Sequence, residues 1–474
     1  MSRRRLSMSE VMDCFYTTHA IGIFFPRCLV ILDIMPWHPF LPILYATRGA
    51  VFAALLAGAG PAQAQLRLPG LPSLGVPALR VPATPALPPE VSLQELRLRA
   101  VRDLLQRHRD VLETDPAGEA IVRAELMLLA PSAGLVDAAQ AEGFRLLRTQ
   151  TLEDLELRTV VLQAPAGLAT ADALARLRAI DPTLEADFNH LYSRGGSTAG
   201  AVAATPPATR PSDAAAHRVG LIDGGLDARH PSLRGAALQT WGCRGLPVAS
   251  SHGTAVASLL VDRSAAVSGR APEVTLYAAD VYCDQPTGGA ADAVAEALAW
   301  MARERVPVVN VSLVGPANRL LERAVQALVA RGHLVVAAVG NDGPAAPPLY
   351  PAAYADVIGV TGVNAARRVL PEAAQGLQVS FAAPGADLPV AQAGSKNYVA
   401  ARGTSFAAPL VAGLLATLLH APDAAAARRA VAALASSATD LGAAGRDTVY
   451  GWGLVGEQQR VALDRVPLQR GTLR

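Results

Sequence analysis

Gly403-Thr404-Ser405-Phe406-Ala407-Ala408-Pro409 leads straight into Leu410-Val411-Ala412-Gly413-Leu414-Leu415-Ala416, a run with apolar side chains all round. A helix without a polar stripe is one buried on every side. Thr404 and Ser405 are predicted at its N-cap. Pro409 is expected within about the first turn, since deeper in a helix proline removes a hydrogen bond and clashes. By itself a hydroxyl at a helix start is only a cap. Facing a cleft, the same serine lies beside free backbone N–H groups and the positive end of the dipole, where an attacking oxygen and a developing oxyanion are stabilised.

The chain around this helix alternates strand and helix. From His217 onward, strands are predicted at 219–222, 274–281, 306–312, 334–339 and 357–363, with helices at 253–261, 290–303 and 320–331 between them. Continuous Val, Leu, Ile and Ala in the strands predicts a mostly parallel, doubly wound α/β sheet covered by helices on both faces. Ligand sites in such sheets lie at the carboxyl ends of the strands.

Four residues fall there: Asp223 at the end of the first strand, His252 at the beginning of a helix, Asn341 at the end of the strand 334–339, and Ser405 at the beginning of the buried helix. Singly they could be a turn residue, a cap, a left-handed turn and a cap. Together they supply what acyl transfer needs. A serine hydroxyl needs a base, imidazole serves near neutral pH, a buried carboxylate fixes its tautomer, and an amide can hold the oxyanion.

With the motifs Val219-Gly220-Leu221-Ile222-Asp223, His252-Gly253-Thr254, Val311-Ser312-Leu313, Ala338-Val339-Gly340-Asn341 and Gly403–Pro409, the segment 217–453 resembles the catalytic domain of the subtilisin-like serine peptidases. Tyr450-Gly451-Trp452-Gly453 looks like that family's closing motif. The resemblance implies Asp223, His252 and Ser405 as a catalytic triad, with Asn341 and the Ser405 amide as oxyanion donors. It also implies that Ser312, Leu313, Val314 and Gly315 line the cleft and pair with an extended substrate backbone. The pocket for the residue before the cut bond is expected among Val314-Gly315, Ala338-Val339 and Leu349-Tyr350-Pro351, which are apolar or small. Three departures stand out. Gly224 replaces a hydroxyl residue, Ala255 stands where many members carry a second histidine, and 261–272 is poor in oxygen ligands. No metal is assigned, no cofactor is needed for the chemistry, and structural calcium is not supported.

At 474 residues the chain calls for two or three domains. Arg48, the apolar run 50–57 and Ala62-Gln63-Ala64 form a secretory signal cleaved after Ala64. The run is too short to span a bilayer, so export is favoured over a retained anchor and the membrane is met only in transit. The expected location is secreted or periplasmic. Residues 1–34 lie far upstream for a signal, and Met35 offers an alternative start that would leave Cys14 and Cys28 untranslated. Cys243 and Cys283 are then an even pair in an exported protein, a candidate disulfide, with two free buried cysteines as the alternative.

Residues 65–89 form a Pro-rich linker, and 91–112 has an amphipathic helix pattern. The stretch 124–191 reads β-α-β-β-α-β, a small α+β ferredoxin-like plan. His190 within it is assigned an ordinary surface or packing contact. A flexible joint follows at 195–216, and the catalytic domain is placed at 217–460. By position and element order, 90–194 resembles the family's pro-domains, which cover the cleft as intramolecular chaperone and inhibitor. The expectation is a secreted serine endopeptidase made as a zymogen and acting on proteins or peptides. Its net charge of +2 gives no reason for a nucleic-acid partner. A binding protein on an inactive peptidase fold is the competing reading.

Overall fold

The computed structural model describes residues 93–194, 217–262 and 274–465. The signal region 1–64, the linker 65–89, the joint 195–216 and most of the loop 261–272 lie outside the described residues.

The first part is small. Helix α1 (Leu93–Arg107) precedes β1 (Leu112–Thr114) and β2 (Ala120–Leu129). It ends earlier than the amphipathic pattern predicts, because Leu112 is taken into β1 opposite Val122 and buried. Then come α2 (Ala133–Ala141), β3 (Arg145–Leu152), β4 (Leu157–Gln163), α3 (Thr170–Ile180), β5 (Ala186–His190) and β6 (Ser193–Arg194). Strands β5, β2, β4 and β3 lie side by side in that order, all antiparallel, with β1 also on β2. One face packs Leu126, Leu128, Val160 and Leu162 against Leu135 and Ala139 of α2 and Leu174 and Leu177 of α3. Leu135 is reached because Ser132 caps α2, its Oγ accepting from the Leu135 N–H.

The second part begins with β7 (His217–Asp223) and β8 (Ala237–Trp241). It continues with α4 (Ser251–Val261), β9 (Val274–Asp280), α5 (Ala291–Arg303), β10 (Val308–Val311), β11 (Leu313–Val314), α6 (Arg319–Ala330) and β12 (Leu334–Ala338). The chain closes with β13 (Ile358–Val363), β14 (Val379–Pro384), β15 (Ala386–Ala391), β16 (Tyr398–Arg402), α7 (Thr404–Ala416) and α8 (Ala424–Ser437). Seven strands form one wholly parallel sheet in the order β14-β13-β12-β10-β7-β9-β8. Alternate residues serve opposite faces. Val219, Leu221, Val308 and Val336 meet α4 and α7, whereas Ile222, Val309, Val335 and Ala337 meet α5 and α6. Phe406, Leu410, Val411 and Leu415 of α7 are all buried, as an all-apolar run requires.

The two parts share a core. Met127, Leu152, Leu155 and Val161, on the small sheet's other face, belong to the same apolar cluster as Ala295, Leu298, Leu321 and Val325 of α5 and α6. Polar contacts rim it. Arg148 bonds Glu125 and Asp292, and Asn189 Nδ2 donates to Glu125 and Asp292. The backbone N–H of Arg319, at the start of α6, donates to Asp187. His190 is buried in this seam. Its Nδ1 lies 3.0 Å from Asn318 Nδ2 and its Nε2 3.2 Å from Asp115.

Two local expectations for α7 are corrected. The N-cap is Gly403, at φ 134° and without a side-chain cap bond, so Thr404 and Ser405 are the first two helical residues. Pro409 lies in the second turn. Each departure has a neighbour that compensates for it at the site.

Candidate active site

Asp223 ends β7 in the middle of the sheet and is wholly buried. Its Oδ1 accepts from the Gly224 N–H at 2.6 Å and its Oδ2 lies 2.7 Å from His252 Nδ1. A carboxylate facing Nδ1 makes that nitrogen the N–H and leaves Nε2 as the basic one. Nε2 is buried and has no hydrogen-bond partner among the described residues. A buried polar atom without a partner calls for an explanation, and a catalytic role is one.

His252 is the second residue of α4, which begins two residues earlier than expected. Ser250 caps it, its Oγ accepting from the Gly253 N–H. That cap explains Gly224. A Cβ at Gly224 would stand 2.5 Å from Ser250 Oγ and 2.9 Å from Arg194 Nη2, so a side chain there would have to displace both of these groups.

Ser405 comes from the opposite side, on α7, with the ring of the next residue, Phe406, 5.5 Å from the His252 ring. Asn341 supplies what the cap lacks. Its Oδ1 accepts from the Thr404 N–H at 3.0 Å and from Thr404 Oγ at 3.2 Å. Two donors on the oxygen turn the amide so that Nδ2 is at the far end. Pro409 has no N–H for the carbonyl one turn earlier, that of Ser405. The Ser312 hydroxyl donates to it instead, at 3.2 Å. Asn310 Nδ2 in turn donates to Ser312 Oγ at 2.8 Å. Asp223, His252, Asn341, Ser312 and Ser405 are thus assembled at the carboxyl ends of β7, β12 and β10 and the starts of α4 and α7.

The expected cleft residues divide. Ser312 braces α7. Leu313 and Val314 pair antiparallel with Arg194 and Ser193 of the chain's own β6. Gly315 exchanges both backbone bonds with Tyr350, which brings two walls of the expected pocket together. The tail carrying β6 is held on its other side too. The Tyr192 N–H donates to the Gly289 carbonyl at 2.8 Å, and the Tyr282 hydroxyl donates to the Tyr192 carbonyl at 2.8 Å. The Tyr192 hydroxyl donates to the Pro316 carbonyl at 2.7 Å, and burial pushes its phenol well up. Sequence reasoning missed Tyr192, Tyr282 and Gly289; the adjacent pair Gly288-Gly289 was the available signal of a close backbone approach.

Cys243 and Cys283 are joined by a disulfide, their Cα atoms 5.1 Å apart. With Asp280 they are the group among the described residues whose ligand atoms lie close enough to hold an ion. The bond between the sulfurs takes two of those three. On the rim, Arg97 of α1 reaches Asp342, next to Asn341, at 2.5 Å, and also pairs with Glu119. Burial pushes the Asp342 carboxyl up, against the pull of Arg97.

The chain is similar to known proteins. The subtilase family, Peptidase_S8, matches residues 215–453. Subtilisin DY of Bacillus licheniformis is 33% identical over 246 residues, 50% of this chain and 88% of that protein. The minor extracellular protease Epr of Bacillus subtilis (strain 168) is 32% identical over 209 residues, 44% of this chain. The match spans only 32% of the length of Epr. Among solved structures, fervidolysin from Fervidobacterium pennivorans, a keratinolytic enzyme related to subtilisin, superposes with a TM-score of 0.56 at 18% identity. That match covers 77% of this chain and 63% of that one. At that identity the likeness speaks for the fold alone.

Proposed function

The chain belongs to the subtilase family of serine peptidases, and on that footing we propose that it is a secreted endopeptidase, made as a zymogen, whose nucleophile is Ser405. In this reading His252 Nε2 takes the proton as Ser405 Oγ attacks the peptide carbonyl. The same nitrogen then gives that proton to the leaving amine, and a water reverses the two steps to free the acid. Asp223 holds the Nδ1–H tautomer. Asn341 Nδ2 and the Ser405 N–H bind the oxyanion, at the positive end of the α7 dipole. The observation that carries the reading is the buried Asp223–His252 pair at 2.7 Å, with Nε2 unpartnered beside the start of α7.

The small part, 90–194, acts as pro-domain in this proposal. Its strand order and helix placement fit a ferredoxin-like plan, and its shared core with α5 and α6 fits a folding template. From Ser193 to Arg194, β6 runs from Val314 toward Leu313 and so toward Ser312 and Ser405. Self-cleavage is therefore expected beyond Arg194, in the joint 195–216. Export through the signal ending near Ala64 completes the proposal.

A fluorophosphonate probe tests it. The mature protein should take the label, and Ser405→Ala should take none and remain uncut in the joint. Labelling of the alanine variant would overturn the nucleophile, and its normal maturation without other proteases would overturn self-processing.

A further inference from the structure

Ser193 and Arg194 pair with β11, the strand expected to bind an extended substrate, and Tyr192 precedes them. Side chains alternate along an extended strand, so Tyr192 and Arg194 point to one side and Ser193 to the other, where it is exposed. Tyr192 is buried, in one apolar cluster with Leu313 and Tyr354. Its ring lies where a side chain at Gly315 would be: a Cβ there would come within 2.6 Å of it. Its hydroxyl is satisfied by the Pro316 carbonyl.

Arg194 has a place of its own. Its guanidinium carbon lies 4.0 Å from the centre of the Tyr282 ring, a cation–π contact. The room for its Nη2 exists because residue 224 has no side chain. Tyr282 is itself fixed. Its N–H donates to Asp280 Oδ1, as does that of Cys283, and Cys283 is bonded to Cys243. The Nε of Arg194 has no hydrogen-bond partner among the described residues, and its side chain is placed by the Tyr282 face and the space over Gly224.

We propose that this peptidase selects substrates carrying an aromatic residue, any residue and then arginine on the amino side of the cut bond, with Tyr282 and Gly224 forming the arginine subsite. The inference rests on the peptidase reading above and deepens it. The aromatic residue is read by the pocket over Gly315, the arginine by the Tyr282 face.

Internally quenched peptides containing Tyr-Ser-Arg-Gly-Gly, Tyr-Ser-Ala-Gly-Gly and Ala-Ser-Arg-Gly-Gly, with rates expressed per fluorophosphonate-labelled site, test it. The arginine peptide should exceed its alanine counterpart in kcat/KM by roughly 3–30-fold, the range of a partly desolvated cation–π contact. Loss of the tyrosine should cost on the order of 10–100-fold. Tyr282→Leu should bring the arginine-to-alanine ratio toward one. Tyr282→Phe, which keeps the ring and loses the hydroxyl bond common to all three peptides, should preserve it. Equal rates for arginine and alanine peptides in a labelled parent enzyme would overturn the subsite and leave the peptidase reading intact. A ratio unchanged in Tyr282→Leu would do the same. Absence of label in the parent would instead sink the peptidase reading. Should Tyr282→Leu fail to take label, the parent's ratio decides.

Discussion

The Ser312 hydroxyl donates to the carbonyl of Ser405 across 93 residues of sequence, at 3.2 Å. The bond stands in for the one that Pro409 cannot make, and it ties the residue after β10 to the helix that carries the proposed nucleophile. Removing the donor leaves a buried carbonyl unsatisfied, which costs about 1–3 kcal/mol. Ser312→Ala should lower stability by that amount in the Ser405→Ala chain, measured by denaturant unfolding. Pro409→Ala supplies an N–H to the same carbonyl, so in that background the loss from Ser312→Ala should shrink. Equal losses in the two backgrounds would show that the bonds are not alternatives.

Asn341→Ala should lower kcat with little change in KM, because a bond to the oxyanion forms fully only in the transition state. The magnitude, about 10²–10³ in kcat, is carried over from a subtilisin whose corresponding donor was removed. Asn341→Asp keeps an oxygen for the Thr404 N–H and loses the donor. It should be as slow as the alanine variant while holding α7 in place. Full activity of Asn341→Asp would reduce Asn341 to a helix cap.

The bridge between Cys243 and Cys283 closes a loop across a separation of 40 residues. In the chain-entropy account a loop of that size contributes about 4 kcal/mol. The Cys243→Ala, Cys283→Ala double variant should unfold at correspondingly lower denaturant, again with Ser405→Ala to prevent autolysis. An unreduced digest of the parent should contain the linked peptides. Two free thiols in folded protein would refute the bridge.

Burial pushes His333 down from its ordinary 6.5 to about 4, against the Val306 carbonyl, which favours the protonated ring. The unfolded chain therefore takes up a proton first as pH falls. This group's contribution to stability is fully present above pH 6.5 and is lost as pH falls toward 4, by roughly 3 kcal/mol. His333→Gln should flatten the stability profile between pH 6.5 and 4, measured by unfolding at pH 7 and 4.5. An unchanged profile would place the acid sensitivity elsewhere.

The parallel sheet was legible because strands such as Val335-Val336-Ala337 are buried on both faces and need apolar side chains at every position. Asp223, His252 and Asn341 were legible only as a set at the ends of strands and the start of a helix, since singly each is an ordinary turn residue or cap. The start of α7 was not. Its cap comes from Asn341, 63 residues away, and no local pattern carries that. The residues brought to the edge of β11 were hidden for the same reason. Tyr192 and Arg194 look like ordinary residues before a joint until β6 is placed on β11. Strands β14 and β15 and helix α8 were missed because Ala and Pro make up half of each strand and Ala over half of the helix, giving neither the β-branched signal of a strand nor a clear apolar stripe.

Strand β6 reaches the edge of β11 from within its own chain. Occupancy of that edge is thus unimolecular, set by an effective concentration on the order of millimolar for a short tether, and it does not change when the protein is diluted. A peptide arriving from outside must outcompete that figure. In the proposed zymogen, a cut beyond Arg194 changes the law: the segment that ends in β6 becomes a separate molecule, and its hold weakens in proportion to dilution. The moment of release then depends on the volume into which the protein spreads, with no further signal required.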